Sequence, residues 1–392
     1  MGLLGFHNLT ERQESFVNLA DRLASSMKTR ADAFDRTGTL PLESFDDLKK
    51  SAYPALTVPT SFGGSGANLL EFVMAQIHLA KGDASVALTA AMNAHVIGAA
   101  VETNAWNTEL STRIFKEVVT RGALVNAVAS EPELGSPSRG GAFRTTAHKV
   151  EGGWALTGRK TWVTGGQCLD FLVVSASLEG KNLLEKTGKM IVPMNAIGLK
   201  LEPTWLEALS LRSSAADDAV FEEVFVPDQD FIASTPAHPA SSAWFWSAMA
   251  ATYLGVGCAA LDEVVHYAKT RVPTALGKPI SSLANIQQKI GQIELELKAA
   301  QSVLLEACGL FVENESNDAL LPLLAGAKQL CTNAAVSATD LSLRVAGGNA
   351  LTRSLSLERH FRDARAGLVH PPSDEVALEM IGRAKLEGSD FE

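Results

Sequence analysis

The sequence predicts an α+β protein of 392 residues in which a helical region, a β region and a second helical region follow one another. Three observations predict it. Apolar residues recur at helical spacing up to Gly122, break into short β-type runs as far as about Ile232, and return to helical spacing from about Ser241. The gaps between the β-type runs are too short for crossover helices, so the middle region is expected to be an antiparallel sheet or barrel. With 392 residues, 46% hydrophobic and 20% charged, the chain has the material for one large or two to three ordinary cores and is not a disordered polymer. The expected division is an all-α domain over 1–122, a β domain over 123–232 and a C-terminal four-helix bundle over 233–392.

The first helix is opened by a capping box between Thr10 and Gln13, and Phe16, Leu19, Leu23 and Met27 share one of its faces. Gly38 and Pro41 end it and open a second helix carrying Phe45 and Leu48. After the loop Phe62-Gly63-Gly64-Ser65-Gly66, a third helix buries Leu70, Val73, Met74 and Ile77. The next run, VALTAAMNAHVIGAAV, is apolar nearly all round, as expected of a helix at the centre of a bundle. His95 sits inside it, where a core histidine is the plainer reading. A further helix is expected over 112–121.

Short strands are expected in ALVNAVAS, AFRTTAHKV, WALTGRKTWVT, DFLVVSASL, KMIVPM and AVFEEVFV, with Gly152-Gly153 turning one hairpin. Three long helices follow, the second with Ile286, Ile290, Ile293 and Leu297 on one stripe. The last stretch, Arg344 to Val376, is the most informative. Gly347-Gly348 allows tight backbone geometry or close approach of a ligand. A helix is expected over 355–365, with Arg359–Asp363 and Glu358–Arg362 at pairing distance. Pro371-Pro372 stops it, and Ser373 N-caps the next helix, with Asp374 and Glu375 in its first turn. A rigid break that presents His370 and open amides is a good place for a site.

A net charge of −10 argues against nucleic acid as a main partner. Cys168, Cys258, Cys308 and Cys331 have no metal-ligand spacing and suit a reducing compartment. No signal peptide is expected from the start MGLLGFHNLTERQ, nor a bilayer span from any uninterrupted apolar run, so the expected location is the cytoplasm.

Several motifs together resemble the acyl-CoA dehydrogenase superfamily, and the resemblance covers essentially the whole chain. Glu358-Arg359-His360-Phe361-Arg362-Asp363-Ala364-Arg365, after a Gly-Gly turn, is similar to the family's E-R-x-x-R-D-A-R helix. Ala129-Ser130-Glu131-Pro132 with Gly135-Ser136 resembles its T-E-P-x-x-G-S loop. Gly158 to Thr164 resembles G-x-K-x-W-I-T, and Leu211-Arg212-Ser213-Ser214 followed by Val220 to Pro227 resembles its closing strands. The resemblance implies a flavin, FAD favoured and FMN open. Ser130 would hold the pyrimidine edge, Trp162 would pack on the ring, Thr164 would reach N5 and Ser136 would lie near the pyrophosphate. Arg271 would pair with the dinucleotide phosphates across a subunit boundary, Gly347 and Gly348 would approach the adenosine half, and Ser373 and Glu375 would lie near the flavin. A homo-oligomer, dimer or tetramer, is implied, with a flavin reductase or an electron-transfer flavoprotein as electron partner.

The catalytic side departs from the family pattern. Where the dehydrogenases carry their glutamate in Y-E-G-T, this chain reads His370-Pro371-Pro372-Ser373. The alternative glutamate position holds Phe245, and the positions used for the Asp and Arg near the thioester and CoA hold Ala243 and Trp246. The histidines that remain, His370 and His95, resemble those bordering the flavin in reduced-flavin-dependent monooxygenases of the same fold. Trp244, Phe245 and Trp246 would then line an aromatic, CoA-free substrate pocket for a small organic molecule. The alternatives are an acyl-CoA dehydrogenase with a relocated base at Asp374 or Glu375, and a flavin-binding scaffold without turnover.

Overall fold

The computed structural model describes residues 4–6, 9–134, 142–179, 187–234, 238–314 and 317–388. Five helices come first: α1 (Glu11–Thr37), α2 (Leu42–Lys50), α3 (Leu69–Ala80), α4 (Ala84–Thr103) and α5 (Thr108–Arg121). The capping box expected at Thr10 and Gln13 forms, and Gly38 takes the left-handed conformation that ends α1. α5 starts four residues earlier than its apolar pattern shows, because the Asn107 side chain accepts from the Leu110 N–H and caps it there.

Eight strands follow: β1 (Val125–Val128), β2 (Thr146–Val150), β3 (Gly153–Val163), β4 (Phe171–Leu178), β5 (Thr187–Pro193), β6 (Leu199–Glu202), β7 (Asp217–Pro227) and β8 (Phe231–Ala233). They form one sheet in the order β6-β7-β3-β2-β4-β5-β8, with β1 also on β4. The expectation of a purely antiparallel sheet needs correction. β4 pairs parallel with β1 along its first half and with β2 at its end. The crossover that parallel pairing requires is made through the β2–β3 hairpin, with no α-helix among the described residues between β1 and β4.

The ladder between β3 and β7 is irregular near its end. On β3 the pairing steps from Lys160↔Ala219 to Val163↔Asp217, so three residues of β3 face two of β7. The extra residue forms a bulge in which Trp162 adopts φ 63°, in the left-handed region. A bulge re-aims the side chain that a regular strand would lay on the sheet.

The C-terminal region consists of α6 (Pro239–Thr270), α7 (Ala284–Glu313), α8 (Leu321–Ala346), α9 (Leu357–Val369) and α10 (Asp374–Leu386). α6 is the hub, packed against α8, α7 and α9 and also against α3 and α4. By length and apolarity α4 and α6 would each suffice to cross a bilayer, but 83% of that stretch is buried inside the protein in both. They are apolar all round because neighbours surround them. α9 is tied to α1 by Arg359–Asp32 at 2.7 Å and Arg362–Asp35 at 2.6 Å.

His360 on α9 is 2% exposed, and neither ring nitrogen has a hydrogen-bond partner. Burial, then the positive charges of Arg359, Lys28 and Arg362, push its pKa well below 6.5. Below about pH 6.5 the unfolded chain therefore takes up a proton that the folded chain refuses. Stability from this group is complete above that pH and falls by about 1.4 kcal/mol per pH unit beneath it. Denaturation of His360→Leu alongside the parent chain should show the parent losing stability relative to the variant on acidification; parallel curves would remove the cause assigned here.

Candidate functional site

A cavity of about 490 Å³ opens where the three regions meet. Its walls come from α4 (Leu88, Met92, His95), from β1 and the loop after it (Asn126, Ala127, Ala129, Ser130), from the β3 bulge (Trp162, Thr164), and from the segment before β7 (Leu211, Ser214, Ala216). Trp205, Phe245 of α6, and Ala366, Val369, His370 and Pro371 complete it. Among the described residues that line it, the ionisable side chains are two histidines. None carries a carboxylate, an ammonium or a guanidinium.

The bulge displays Trp162, which is 52% exposed, so the indole is not a sheet-core aromatic. Thr164 follows in a tight turn, its N–H donating to the Trp162 carbonyl at 2.9 Å. The bulge is joined to the Ser130 loop by the Thr161 N–H, which donates to the Ser130 carbonyl at 3.0 Å. Behind both lies a buried ion pair, Lys160 Nζ to Glu131 Oε1 at 2.7 Å, with 0% and 1% of the side chains exposed. Burial alone would raise the Glu131 carboxyl. The Lys160 ammonium and the Thr145 and Arg144 N–H groups outweigh it and hold the carboxyl below its ordinary range.

His95 and His370 both face the cavity and both are kept neutral. Burial, then the Lys189 charge, lowers His95 to about 3. Burial, then the Lys328 ammonium, lowers His370 to about 4. His95 meets the Phe245 ring edge-on at 5.1 Å. His370 caps the end of α9, and its Nδ1 lies 2.8 Å from the Tyr253 hydroxyl.

Of the three aromatic residues expected to line a substrate pocket, only Phe245 reaches the cavity. Trp244 and Trp246 need correction, because consecutive helical residues point about 100° apart. Trp244 is 2% exposed and fills a slot over Gly98, where an added Cβ would meet the indole at 2.5 Å. Its Nε1 donates to Glu102 at 2.8 Å. Trp246 packs against the core. Ser136 lies outside the described residues.

Arg271, Gly347, Gly348, Ser373 and Glu375 are not among the lining residues. Tyr267, one turn before the Arg271 C-cap of α6, ties that helix to the residues flanking the glycine pair. The Arg271 N–H donates to the Tyr267 carbonyl at 2.9 Å, and the Tyr267 hydroxyl donates to the Ala346 carbonyl at 3.4 Å and accepts from Asn349 at 2.6 Å. α10 begins after Ser373 as expected, but the Ser373 side chain makes no capping bond and turns to the Glu375 carboxylate, which is exposed and also stabilised by its own N–H.

Four contributors escaped the sequence reading. Asn126 and Ser214 line the cavity with Oδ1 and Oγ buried and unpartnered. Tyr253 and Lys328 support His370 from behind. Asn126 did leave a signal, since it is the lone polar residue within the apolar run ALVNAVA.

These features define an α–β–α protein whose walls meet at one apolar, histidine-bearing cavity. Models of the acyl-CoA dehydrogenase N-terminal, middle and C-terminal domains match residues 10–111, 126–224 and 247–374. The Bacillus subtilis protein YdbM, which carries a provisional acyl-CoA dehydrogenase name, is 34% identical over 379 residues, covering 96% of this chain and 98% of its own. The chain belongs to the acyl-CoA dehydrogenase superfamily. Among solved structures, butyryl-CoA dehydrogenase from Megasphaera elsdenii superposes with a TM-score of 0.86 at 24% identity, covering 97% of this chain and 100% of its own. TdsC from Paenibacillus sp. A11-2, solved with FMN and indole, superposes at 0.85 and 20% identity, covering 97% and 98%.

Proposed function

We propose that this chain is a flavin-dependent oxidoreductase that works with histidine in place of a carboxylate, as a reduced-flavin-dependent monooxygenase of a small organic substrate. The observation that carries this reading is the ionisable content of the cavity, which among the described residues is His95 and His370 alone. Removal of an acidified α-proton from an acyl thioester requires a base, and in this family that base is a glutamate. Here Pro371 occupies its place, Glu375 is exposed, and Asp374 is engaged with Asn333.

The cavity suits a flavin. The displayed Trp162 offers a flat apolar face, and the unpartnered Asn126 Oδ1 and Ser214 Oγ are buried polar atoms awaiting a ligand. Ser130, Trp162 and Thr164 would hold the isoalloxazine. A reduced flavin bound there supplies the two electrons with which dioxygen is split between product and water. Phe245, Leu88 and Met92 would exclude water, and the two neutral imidazoles would address the reacting groups.

Gly348 supports a dinucleotide form of the cofactor, FAD before FMN. It has no positive φ, and an added Cβ would meet nothing within 4 Å, so the chain's own packing does not demand glycine there. Its place outside the cavity, between the two residues that the Tyr267 hydroxyl bonds, fits the adenosine end of FAD at a subunit boundary. We therefore propose a homo-oligomer, dimer or tetramer, in the cytoplasm, supplied by a flavin reductase. Light scattering that found a monomer still retaining FAD would contradict the shared site. Trp162→Ala should weaken flavin binding about tenfold or more, read by titration and by loss of the flavin-induced rise in Tm.

One observation favours a second reading, acyl-CoA dehydrogenation with an electron-transfer flavoprotein as acceptor: YdbM and other relatives carry acyl-CoA dehydrogenase names. Anaerobic titration of the flavin-loaded protein with acyl-CoAs of several chain lengths separates the two. No bleaching is expected, whereas reduced flavin should bind and consume oxygen in a protein-dependent manner. Bleaching would overturn the oxygenase, and failure of both FAD and FMN to bind would overturn both readings.

A further inference from the structure

His370 is held from behind by two side chains of other helices. Tyr253, fully buried on α6, places its hydroxyl 2.8 Å from His370 Nδ1. It gets that close because residue 367 on α9 is glycine; a Cβ there would meet the Tyr253 ring at 2.9 Å. Lys328, fully buried on α8, donates from Nζ to the carbonyls of Gly367 at 2.8 Å and Pro372 at 2.9 Å. It therefore clasps the chain on both sides of the histidine.

The Tyr253 hydroxyl carries one proton, and His370 Nδ1 is its only hydrogen-bond partner among the described residues. If Nδ1 bore the hydrogen, the phenol proton would be buried with no acceptor, the arrangement that interiors avoid most strongly. With Nδ1 as the acceptor, the phenol is satisfied and the ring hydrogen sits on Nε2. Nε2 has no protein partner and is not sealed off, on a residue that lines the cavity. We propose that Tyr253 is a positioning residue that holds His370 as the Nε2–H tautomer, so that the imidazole offers the cavity a neutral hydrogen-bond donor and not a base.

Two electrostatic features act in the same direction. Burial keeps the Tyr253 phenol protonated, well above its ordinary range, so it remains a donor. The Lys328 ammonium, with Asp374 beyond it, opposes a second proton on the ring. A donor of this kind suits an oxygen atom that gains negative charge during reaction, on the substrate or on the cofactor side.

As a statement about turnover the inference rests on the oxygenase reading, but the tautomer is a property of the protein without cofactor. The test is a two-bond ¹⁵N–¹H correlation spectrum of ¹⁵N-histidine-labelled protein above neutral pH, with His370 assigned by its absence in His370→Gln. The expected pattern is a pyridine-type Nδ1 and a pyrrole-type Nε2, changing to a mixture of both tautomers in Tyr253→Phe. An Nδ1–H pattern in the parent chain overturns the proposal, and so does an unchanged tautomer in a folded Tyr253→Phe. Should that variant not fold, the parent spectrum alone decides. Bleaching by an acyl-CoA would remove the oxygenase and leave this spectrum untouched, so the two failures are distinguishable.

Discussion

His370→Ala is expected to slow the oxygen-dependent reaction by about two to four orders of magnitude while leaving flavin affinity nearly intact. The separation follows from where the residue sits. Its imidazole reaches the cavity from the end of α9, whereas the proposed ring-holding residues Ser130, Trp162 and Thr164 belong to the β region. Alanine removes the imidazole without touching the clasp of Lys328, which holds backbone carbonyls and not the side chain. Glu375→Gln should change turnover little and act mainly on cofactor affinity, because its carboxylate is exposed at the start of α10. Stopped-flow oxidation of the reduced-flavin complex measures the first effect. Were Glu375→Gln to abolish acyl-CoA-dependent flavin reduction while His370→Ala left it intact, a relocated dehydrogenase base would replace the oxygenase.

Lys160→Met is expected to destabilise the fold by about 3–5 kcal/mol, the cost of breaking a buried ion pair by removing one partner. The Glu131 carboxylate would remain buried without its ammonium, left to Thr145 and to the Arg144 N–H, whose backbone bonds are 3.0 and 2.8 Å. The Lys160 ammonium also donates to the Ala129 carbonyl at 3.3 Å, so its loss releases the loop on which Ser130 is mounted. Flavin affinity should therefore fall along with Tm. Adding Glu131→Gln should restore part of the stability, since a neutral amide costs less to bury than a carboxylate. A single Lys160→Met variant as stable as the parent would show that Glu131 can relax or take up a proton, and the pair would lose the role assigned to it.

The order of helical, β and helical regions was legible in the sequence because it depends on local periodicity and on turn chemistry. The capping box of α1, the pairing of Arg362 with Glu358 at 2.7 Å and the break after α9 depend on neighbours within a few residues. So does the run His370-Pro371-Pro372-Ser373, which can be read directly from the chain. The sheet order and the direction of individual side chains were decided by tertiary structure. Parallel pairing of β4 with β1 joins residues some forty-six apart, such as Val125 and Phe171, which no local pattern encodes. The bulge that displays Trp162 exists only as a mismatch of register between β3 and β7. Trp244 turned inward because Gly98, on another helix, left room for an indole. Tyr253 and Lys328 lie 117 and 42 residues from His370 in the chain and meet it only through helix packing. The sequence by itself determined the elements and the rigid break that carries His370. Which buried polar groups support the histidine was left to tertiary structure, because a hydrogen bond across helices depends on three-dimensional proximity and leaves no periodic trace.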